Sequence, residues 1–220
     1  MSTMPAGSGR TVSQAKRVLP ARVKPALFIA VAFTALLYLV EIVDVLLLAE
    51  LDQEGIESRT LSGLDGVLWA PLLHHGWDHL IANTGPVLLF AFLSLAGGLR
   101  QWIAVTATIW LLGGLGVWLF GPSGAITIGA SGVAFGWLAY LLVRGIFNRS
   151  IGQLVLAAVL FFVYGGMLWG VLPGAPGISW QGHLFGALAG VLAAWLASRA
   201  DNDGKGSPAT KKSLPGSLAG

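Results

Sequence analysis

The sequence predicts an all-α membrane protein built as a six-transmembrane-helix bundle. Hydrophobic residues make up 55% of the 220 residues, charged residues only 10%, and the mean hydropathy is +0.76. A soluble domain of this length does not need so much apolar surface. The charged residues also collect near the two ends of the chain and in short gaps between long apolar runs. Such runs are long enough to cross the ~30 Å hydrocarbon core of a bilayer.

Six apolar runs supply the predicted helices. The strands of a membrane barrel would show segments of about ten residues that alternate between polar and apolar side chains, and no such alternation is present. Continuous runs suit helices, which satisfy their own backbone hydrogen bonds inside a membrane. In chain order, the runs are Ala26–Ala49, His79–Gly98, Trp102–Phe120, Ala130–Phe147, Ile151–Leu172 and Trp180–Ser198.

Two polar tails flank a predicted membrane domain at residues 26–200. The first tail, residues 1–25, is not a signal peptide, because the apolar run behind it is too long and lacks a small-residue cleavage site. The second tail, residues 201–220, is rich in Gly, Ser, Pro and Lys and cannot bury enough apolar surface to become ordered. We therefore expect a flexible tail at each end of the chain.

The distribution of Lys and Arg predicts the orientation in the membrane. With six crossings, Arg59 alone falls on one side, in a loop rich in acidic residues. Because cytoplasmic loops carry the excess of Lys and Arg, both termini are predicted to be cytoplasmic. The simple six-helix form without a targeting presequence favours the cell membrane. The basic residues on the cytoplasmic side are Arg10, Lys16, Arg17, Arg22, Lys24, Arg100, Arg144, Arg149, Arg199, Lys205, Lys211 and Lys212.

Composition also excludes several classes of function. The chain contains no cysteine, which rules out disulfides, thiolate metal sites and a cysteine nucleophile. Membrane topology accounts for the basic excess, so no nucleic-acid partner is predicted. The lipid bilayer is the predicted surrounding, and the sequence does not predict an oligomeric state.

A serine and a histidine in two different runs are candidates for a catalytic pair. Ser131 lies among glycines in the segment Gly129-Ala130-Ser131-Gly132, and His183 lies in the sixth run. The glycines leave room around the serine hydroxyl. A serine hydroxyl is a weak nucleophile without an adjacent base, so the pair needs a hydrogen bond of about 2.6–3.2 Å.

Small residues predict that the two runs pack closely enough for this bond. Gly182, Gly186 and Gly190 recur every four residues in the sixth run, and Gly132 and Gly136 have the same spacing in the fourth. Stripes of this kind allow the backbones of two membrane helices to approach each other.

His79 and Asn83 are candidates for stabilising an oxyanion. They are four residues apart, so on a helix they share one face and can point at the same atom. An imidazole and a carboxamide both donate hydrogen bonds, and the backbone N–H of Ser131 can add a third donor.

A metal site is a weaker interpretation of the histidines. His75 and His79 are also four residues apart, as in a zinc-binding helix, but Gly76 stands where an H-E-x-x-H motif has glutamate. No third ligand is evident, so neither a metal nor another cofactor is predicted.

The motifs resemble those of the rhomboid family of intramembrane serine proteases. The family's G-x-S-G motif is matched by Gly129–Gly132, and its H-x-x-x-N motif by His79–Asn83. Its last-helix histidine with following glycines is matched by His183, Gly186 and Gly190. The three motifs occur in the expected order and in the expected helices, and the resemblance covers the whole six-helix body.

Two further residues support the resemblance. His74 lies five residues before the H-x-x-x-N histidine, where many rhomboids have another histidine. Phe135, four residues after the serine, stands where the family has an aromatic ring against the base. The Trp-Arg pair that many bacterial members carry in the first external loop is missing at the equivalent spacing, where the chain has Trp69-Ala70-Pro71.

The resemblance implies a rhomboid-like bundle that cleaves transmembrane protein substrates near the extracytoplasmic face. In that mechanism Ser131 attacks the peptide carbonyl, and His183 takes and returns the proton. His79, Asn83 and the Ser131 N–H hold the oxyanion.

Two other classes of function remain open from sequence. One is a catalytically silent rhomboid-like protein that binds membrane clients. Pseudoproteases of this kind usually lose the serine or the histidine, and both are present here. The other is a small transporter or channel, whose inverted repeats and broken helices are not evident in the sequence.

Overall fold

The computed structural model describes residues 14–48, 50–174 and 177–206. The outer parts of the two predicted tails, residues 1–13 and 207–220, lie outside the described residues. The helices are α1 Val23–Leu47, α2 Gly66–Trp69, α3 Gly76–Ser94, α4 Leu99–Phe120, α5 Ser131–Phe147, α6 Ile151–Tyr164 and α7 Trp180–Gly206. Short 3-10 helices span Gln14–Lys16, Leu51–Glu54, Ala70–Leu72, Leu95–Gly97 and Gly165–Val171. Strands β1 Ile56–Glu57 and β2 Ile126–Thr127 pair antiparallel.

Five helices in the described residues are long and apolar enough to cross a membrane. They are α1, α3 with its following 3-10 turn, α4, α6 with Gly165–Val171, and most of α7. The fourth predicted run, Ala130–Phe147, corresponds to α5, which is apolar but has only 17 residues. The prediction of a helical, multi-pass membrane protein is therefore confirmed, whereas the count of six crossings stays a prediction.

The short helix α5 is the centre of the bundle. It packs against α3, α4, α6 and α7, and most of its residues are buried. Trp137 and Leu138 in its middle are completely buried. A helix that is apolar around its whole circumference is one that a core encloses. Because other helices surround α5, its first residue, Ser131, lies inside the bundle rather than at the lipid surface.

The outer surface of the bundle is apolar. Along α6, Val155 is 59%, Val159 53% and Phe162 87% exposed, and on α1 Phe28 is 72% exposed. Exposed apolar side chains cover so much of this surface that it is poorly suited to contact with water. The lipid bilayer is the environment that fits these faces.

Glycines bring α5 and α7 into backbone contact. A Cβ built on Gly186 would lie 2.9 Å from the carbonyl carbon of Gly132, and one on Gly190 would lie 2.8 Å from that of Gly136. These distances leave no room for a side chain, as the two glycine stripes in the sequence predict. The crossing fixes the N-terminal ends of the two helices against each other.

Backbone pairing holds the segment before α5 in place. β2 pairs with β1 from the loop after α1, with Ile56 opposite Thr127. Two residues later, the N–H of Gly129 donates to the carbonyl of Ala70 at 2.8 Å. The pairing with β1 and the bond to Ala70 thus fix the backbone that leads into α5.

Part of the predicted N-terminal tail has defined contacts. Polar side chains near the α5–α6 turn bind backbone carbonyls of this segment: Asn148 and Gln153 both donate to Ala15, each at 2.8 Å, and Arg144 donates to Arg17 at 3.0 Å. The helix α1 begins at Val23, before the predicted boundary at residue 26, and α7 continues to Gly206, beyond the boundary at residue 200. These two helices therefore extend further than the apolar runs alone indicate, and the predicted bounds of the membrane domain stay a prediction.

The Gly136–Gly190 contact predicts a strong effect of adding one methyl group. We expect Gly190→Ala to destabilise the protein by about 1–3 kcal/mol, because the new Cβ meets rigid backbone. Gly85→Ala on α3 is the matched control, since a Cβ there would have nothing within 4 Å. Thermal unfolding in detergent measures both. Equal midpoints for the two variants would show that the crossing is looser than the structure indicates.

Candidate active site

The crossing of α5 and α7 brings Ser131 and His183 together. Ser131 is the first residue of α5, and His183 lies in the first turn of α7. The Oγ atom of Ser131 lies 2.9 Å from Nε2 of His183. The His183 residue is only 8% exposed. A nucleophile and a base at this distance, shielded from bulk solvent, are the arrangement that covalent catalysis requires.

Two further contacts hold the His183 imidazole. Its Nδ1 lies 3.0 Å from the carbonyl oxygen of Gly170. Because a carbonyl only accepts, this network assigns the ring proton to Nδ1 and leaves Nε2 to accept from the Ser131 hydroxyl. Phe135 stacks on the ring face, with 4.0 Å between ring centroids and 6° between planes. The ring is thus held at both nitrogens and on one face.

The turn before Ser131 depends on a glycine. Gly129 has φ of +120°, a conformation that side chains rarely allow. A Cβ on it would also lie 2.8 Å from Cε1 of His79. The next backbone N–H, that of Ala130, donates to Nε2 of His74 at 3.4 Å. A buried histidine therefore supports the peptide that leads into Ser131.

His79 and Ser131 both have side-chain atoms next to Gly129. The backbone N–H of His75 donates to Nδ1 of His79 at 3.4 Å, which assigns the proton of that ring to Nε2. The position of a Cβ on Gly129 would be 3.0 Å from this Nε2 and 3.7 Å from Ser131 Oγ. A hydrogen-bond donor is therefore available next to the nucleophile.

Asn83 supplies a second polar group on the same helix face. Its Nδ2 donates to the backbone carbonyl of His79 at 2.9 Å. A carboxamide nitrogen carries two hydrogens, so one N–H remains for another acceptor. Ser131 adds its backbone N–H, because the first residues of a helix have no acceptor within the helix.

These groups face a cavity of about 660 Å³. Side chains from the ends of α3, α5 and α7 line it, together with β2 and the segment before α7. Space of this size admits water and a stretch of extended peptide. The lining residues are His75, His79, Ala82, Asn83, Pro122, Ala125, Ile126, Thr127, Ile128, Ser131, Phe135, Gly177, Ile178, Ser179, Gln181 and His183.

The described residues contain no group of three or more His, Cys, Asp or Glu side chains placed to hold a metal ion. His75, the alternative metal ligand considered from sequence, instead pairs with Asp52, with 2.9 Å between Nδ1 and Oδ2. Its side chain is 61% exposed. The pair ties the loop after α1 to the start of α3.

Each candidate residue from the sequence has a definite position around the serine. Ser131, His183, His79, Asn83 and Phe135 line the cavity. Behind the serine lie Gly129 and His74, and in the helix crossing lie Gly132 and Gly186. Their catalytic roles stay predictions.

Two features of the site were not predicted from sequence. Gly170 belongs to no motif, and its contribution is a backbone carbonyl, for which a sequence has no direct signal. Ser179 caps the start of α7, since its Oγ accepts the N–H of Gly182 at 3.2 Å. A serine just before an apolar run is a helix-start signal, so this second contact was predictable.

Comparison of the sequence with known proteins identifies relatives of this chain. Residues 64–200 match the model of a family described as Rhomboid domain. An uncharacterized protein of Mycobacterium bovis and one of Mycobacterium tuberculosis are each 48% identical over 174 residues, which cover 76% of this chain and 72% of the relative. An uncharacterized protein of Mycobacterium leprae is 47% identical over 174 residues, 76% of this chain and 69% of the relative. No solved structure matches the chain.

The environment of His74 predicts a pH-dependent stability. Burial lowers the pKa of the His74 imidazole from 6.5 to about 4, and the neighbouring His79 adds to this effect. The unfolded chain takes up a proton at His74 below about pH 6.5 and the folded chain only below about pH 4. Stability is therefore full above pH 6.5 and falls towards pH 4, by up to about 3 kcal/mol.

His74→Gln isolates this contribution, because its carbonyl can replace Nε2 as the acceptor and does not titrate. We expect the unfolding temperature of the variant in detergent to fall less between pH 7 and pH 4 than that of the wild type. Parallel curves for the two proteins would contradict a buried, neutral His74.

Proposed function

Because this chain belongs to the rhomboid family, we propose that it is an intramembrane serine endopeptidase. Its substrates are transmembrane proteins, and it hydrolyses their peptide bonds near the extracytoplasmic face. The family includes serine proteases as well as members that lack activity, so the proposal depends on the site of this particular chain.

The observation that carries the proposal is the 2.9 Å hydrogen bond between Ser131 Oγ and His183 Nε2. A member that only binds clients does not need this bond. A base aimed at a serine hydroxyl, at the rim of a cavity, is the minimum for acyl transfer. The silent client-binding alternative offers no reason for keeping the serine, the histidine and their geometry together.

The reaction proceeds in two halves. In the first, His183 Nε2 takes the Ser131 proton while Oγ forms a bond to the peptide carbonyl carbon. The resulting imidazolium returns the proton to the leaving nitrogen as the C–N bond breaks, and the acyl group stays on Ser131. In the second half, a water molecule gives a proton to His183 as its oxygen bonds to the ester carbon; His183 then returns the proton to Oγ as the C–O bond to Ser131 breaks, which releases the new carboxyl end.

His79, Asn83 and the Ser131 N–H stabilise the tetrahedral oxyanion. Donors that are already oriented in a protein interior are worth more than donors in water, since they need no reorganisation during the reaction. Nε2 of His79 and Oγ of Ser131 both lie within 4 Å of the Cβ position of Gly129, and Asn83 is held on the same helix face as His79 by its bond to the His79 carbonyl. A neutral imidazole is sufficient for this role because it only has to donate one hydrogen bond.

The membrane sets where the peptide bond is cut. The cavity with Ser131 lies at the same end of the bundle as β1 and β2, and the charge distribution predicts that this end is extracytoplasmic. A transmembrane helix must unwind before its backbone enters the site, so cleavage falls near the outer end of the span. In this orientation both termini lie in the cytoplasm, and the protein resides in the cell membrane.

Cleavage of a membrane-embedded reporter tests the proposed function. The reporter is a single-span protein with Gly, Ala and Ser near the extracytoplasmic end of its span, reconstituted with the enzyme in liposomes. We expect cleavage by the wild type, and a loss of at least about 10³-fold in rate for Ser131→Ala and His183→Ala, since removal of either group disables the pair. Products are identified by mass spectrometry.

Ser198→Ala is the matched control for loss of a serine hydroxyl. Ser198 lies on α7, as His183 does, and its Oγ only donates to the Trp195 carbonyl within the helix. This variant should cleave at the wild-type rate. Reporter that is bound but left intact by the wild type would favour the silent client-binding alternative, and cleavage by Ser131→Ala would exclude Ser131 as the nucleophile.

A further inference from the structure

The base of the pair contacts a backbone carbonyl at Nδ1. Among the described residues that line the cavity, none is Asp or Glu. Many serine hydrolases use a carboxylate to hold the histidine in the correct tautomer and to stabilise the imidazolium. At the corresponding nitrogen of His183, the structure has the carbonyl oxygen of Gly170 at 3.0 Å.

We propose that the Gly170 carbonyl takes the place of the missing carboxylate as the positioning group of the base. It accepts the Nδ1–H of His183, which keeps the lone pair of Nε2 aimed at the Ser131 hydroxyl. When His183 takes the serine proton, the same carbonyl faces the new positive charge. The proposal rests on the proposed function, and it assigns the third role in the catalytic arrangement to a backbone atom.

Glycine at this position allows the contact. A Cβ on Gly170 would lie 3.0 Å from Nδ1 of His183 and 3.0 Å from Cζ of Phe135. The imidazole stacks on Phe135, so it cannot move away from the added atom towards that side. A glycine therefore suits this position, because any side chain would press against the imidazole or Phe135.

The position of Gly170 in its helix leaves the carbonyl free to accept. Gly170 lies in the last turn of the 3-10 helix Gly165–Val171, which continues α6. Carbonyl groups in the last turn of a helix lack partners within the helix and carry the negative end of its dipole. A cation such as an imidazolium is stabilised at that end. The geometry and the charge therefore favour the same role.

The surroundings of the ring contain few other charges. The titratable side chains across the cavity from His183 are His79 and His75, both on or next to α3. On α5 the ring contacts Ser131 and Phe135, and on the α6 side it contacts Gly170. A change at the Gly170 carbonyl should therefore be visible in the protonation behaviour of His183.

An amide-to-ester exchange weakens this single carbonyl. Replacing Val171 with its α-hydroxy counterpart converts the Gly170–Val171 peptide bond into an ester, whose carbonyl is a poorer acceptor. The same exchange at Trp169 is the matched control, since it removes an equivalent N–H from the 3-10 helix but leaves the Gly170 carbonyl unchanged.

We expect the Val171 ester to lower kcat about tenfold with little change in KM, because losing part of one hydrogen bond affects the transition state more than substrate binding. The acid limb of the pH profile of kcat/KM should move to lower pH, since the imidazolium loses a stabilising acceptor. The Trp169 ester should keep the wild-type profile. Identical profiles for the Val171 ester and the wild type would overturn the proposal.

A second readout does not require activity. In protein with ¹⁵N-labelled histidine, the four imidazoles are resolved by NMR, and His183→Gln identifies the signals of His183. We expect the proton of His183 on Nδ1, and its resonance should move upfield in the Val171 ester only. A proton on Nε2, or an Nδ1 proton that is insensitive to the ester, would overturn the proposal.

The two readouts separate failure of this inference from failure of the proposed function. If the wild type does not cleave, an ester-sensitive Nδ1 proton still supports the Gly170 contact. If the wild type cleaves and the ester changes neither readout, the proposed function stands and Gly170 has no positioning role. Gly170→Ala should be impaired more strongly than the ester, provided that its unfolding temperature shows a folded protein.

Discussion

The direct contact between the backbones of α5 and α7 is the constraint on which the site depends. Gly132 and Gly136 on α5 meet Gly186 and Gly190 on α7, with no space for a side chain between them. Only this approach brings a hydroxyl at the start of one helix within 2.9 Å of an imidazole near the start of the other. Without a hydrophobic force between helices in lipid, close packing of small residues is what remains to hold such a crossing together.

Polar groups in the interior of a membrane protein are costly unless they have partners. The site provides such partners in two sets of hydrogen bonds. Asn83 donates to the His79 carbonyl, and the Ser131 hydroxyl is linked through His183 to the Gly170 carbonyl. The two contacts of the His183 ring also determine which of its nitrogens carries the proton. Stability and catalytic geometry are therefore consequences of the same hydrogen bonds.

Sequence was sufficient for the parts of the protein that depend on side-chain type and spacing. The apolar runs predicted the helices, and the four-residue glycine spacing predicted which two helices meet. Sequence was insufficient where the backbone carries the interaction. The Gly170 carbonyl that contacts His183 has no side chain to mark it in the sequence. Composition also does not show that Asn148 and Gln153 bind the backbone of the polar N-terminal segment, because backbone acceptors leave no mark in a sequence.

We propose that the crossing of α5 and α7 activates the Ser131 hydroxyl towards electrophiles. Reaction of the detergent-solubilised protein with a fluorophosphonate, followed by peptide mass spectrometry, measures this most directly, because such probes modify serines whose hydroxyl is activated by a base. We expect one adduct, on Ser131, and none when His183 is replaced by Ala. A folded protein that gives no adduct, or an adduct that persists without His183, would contradict it.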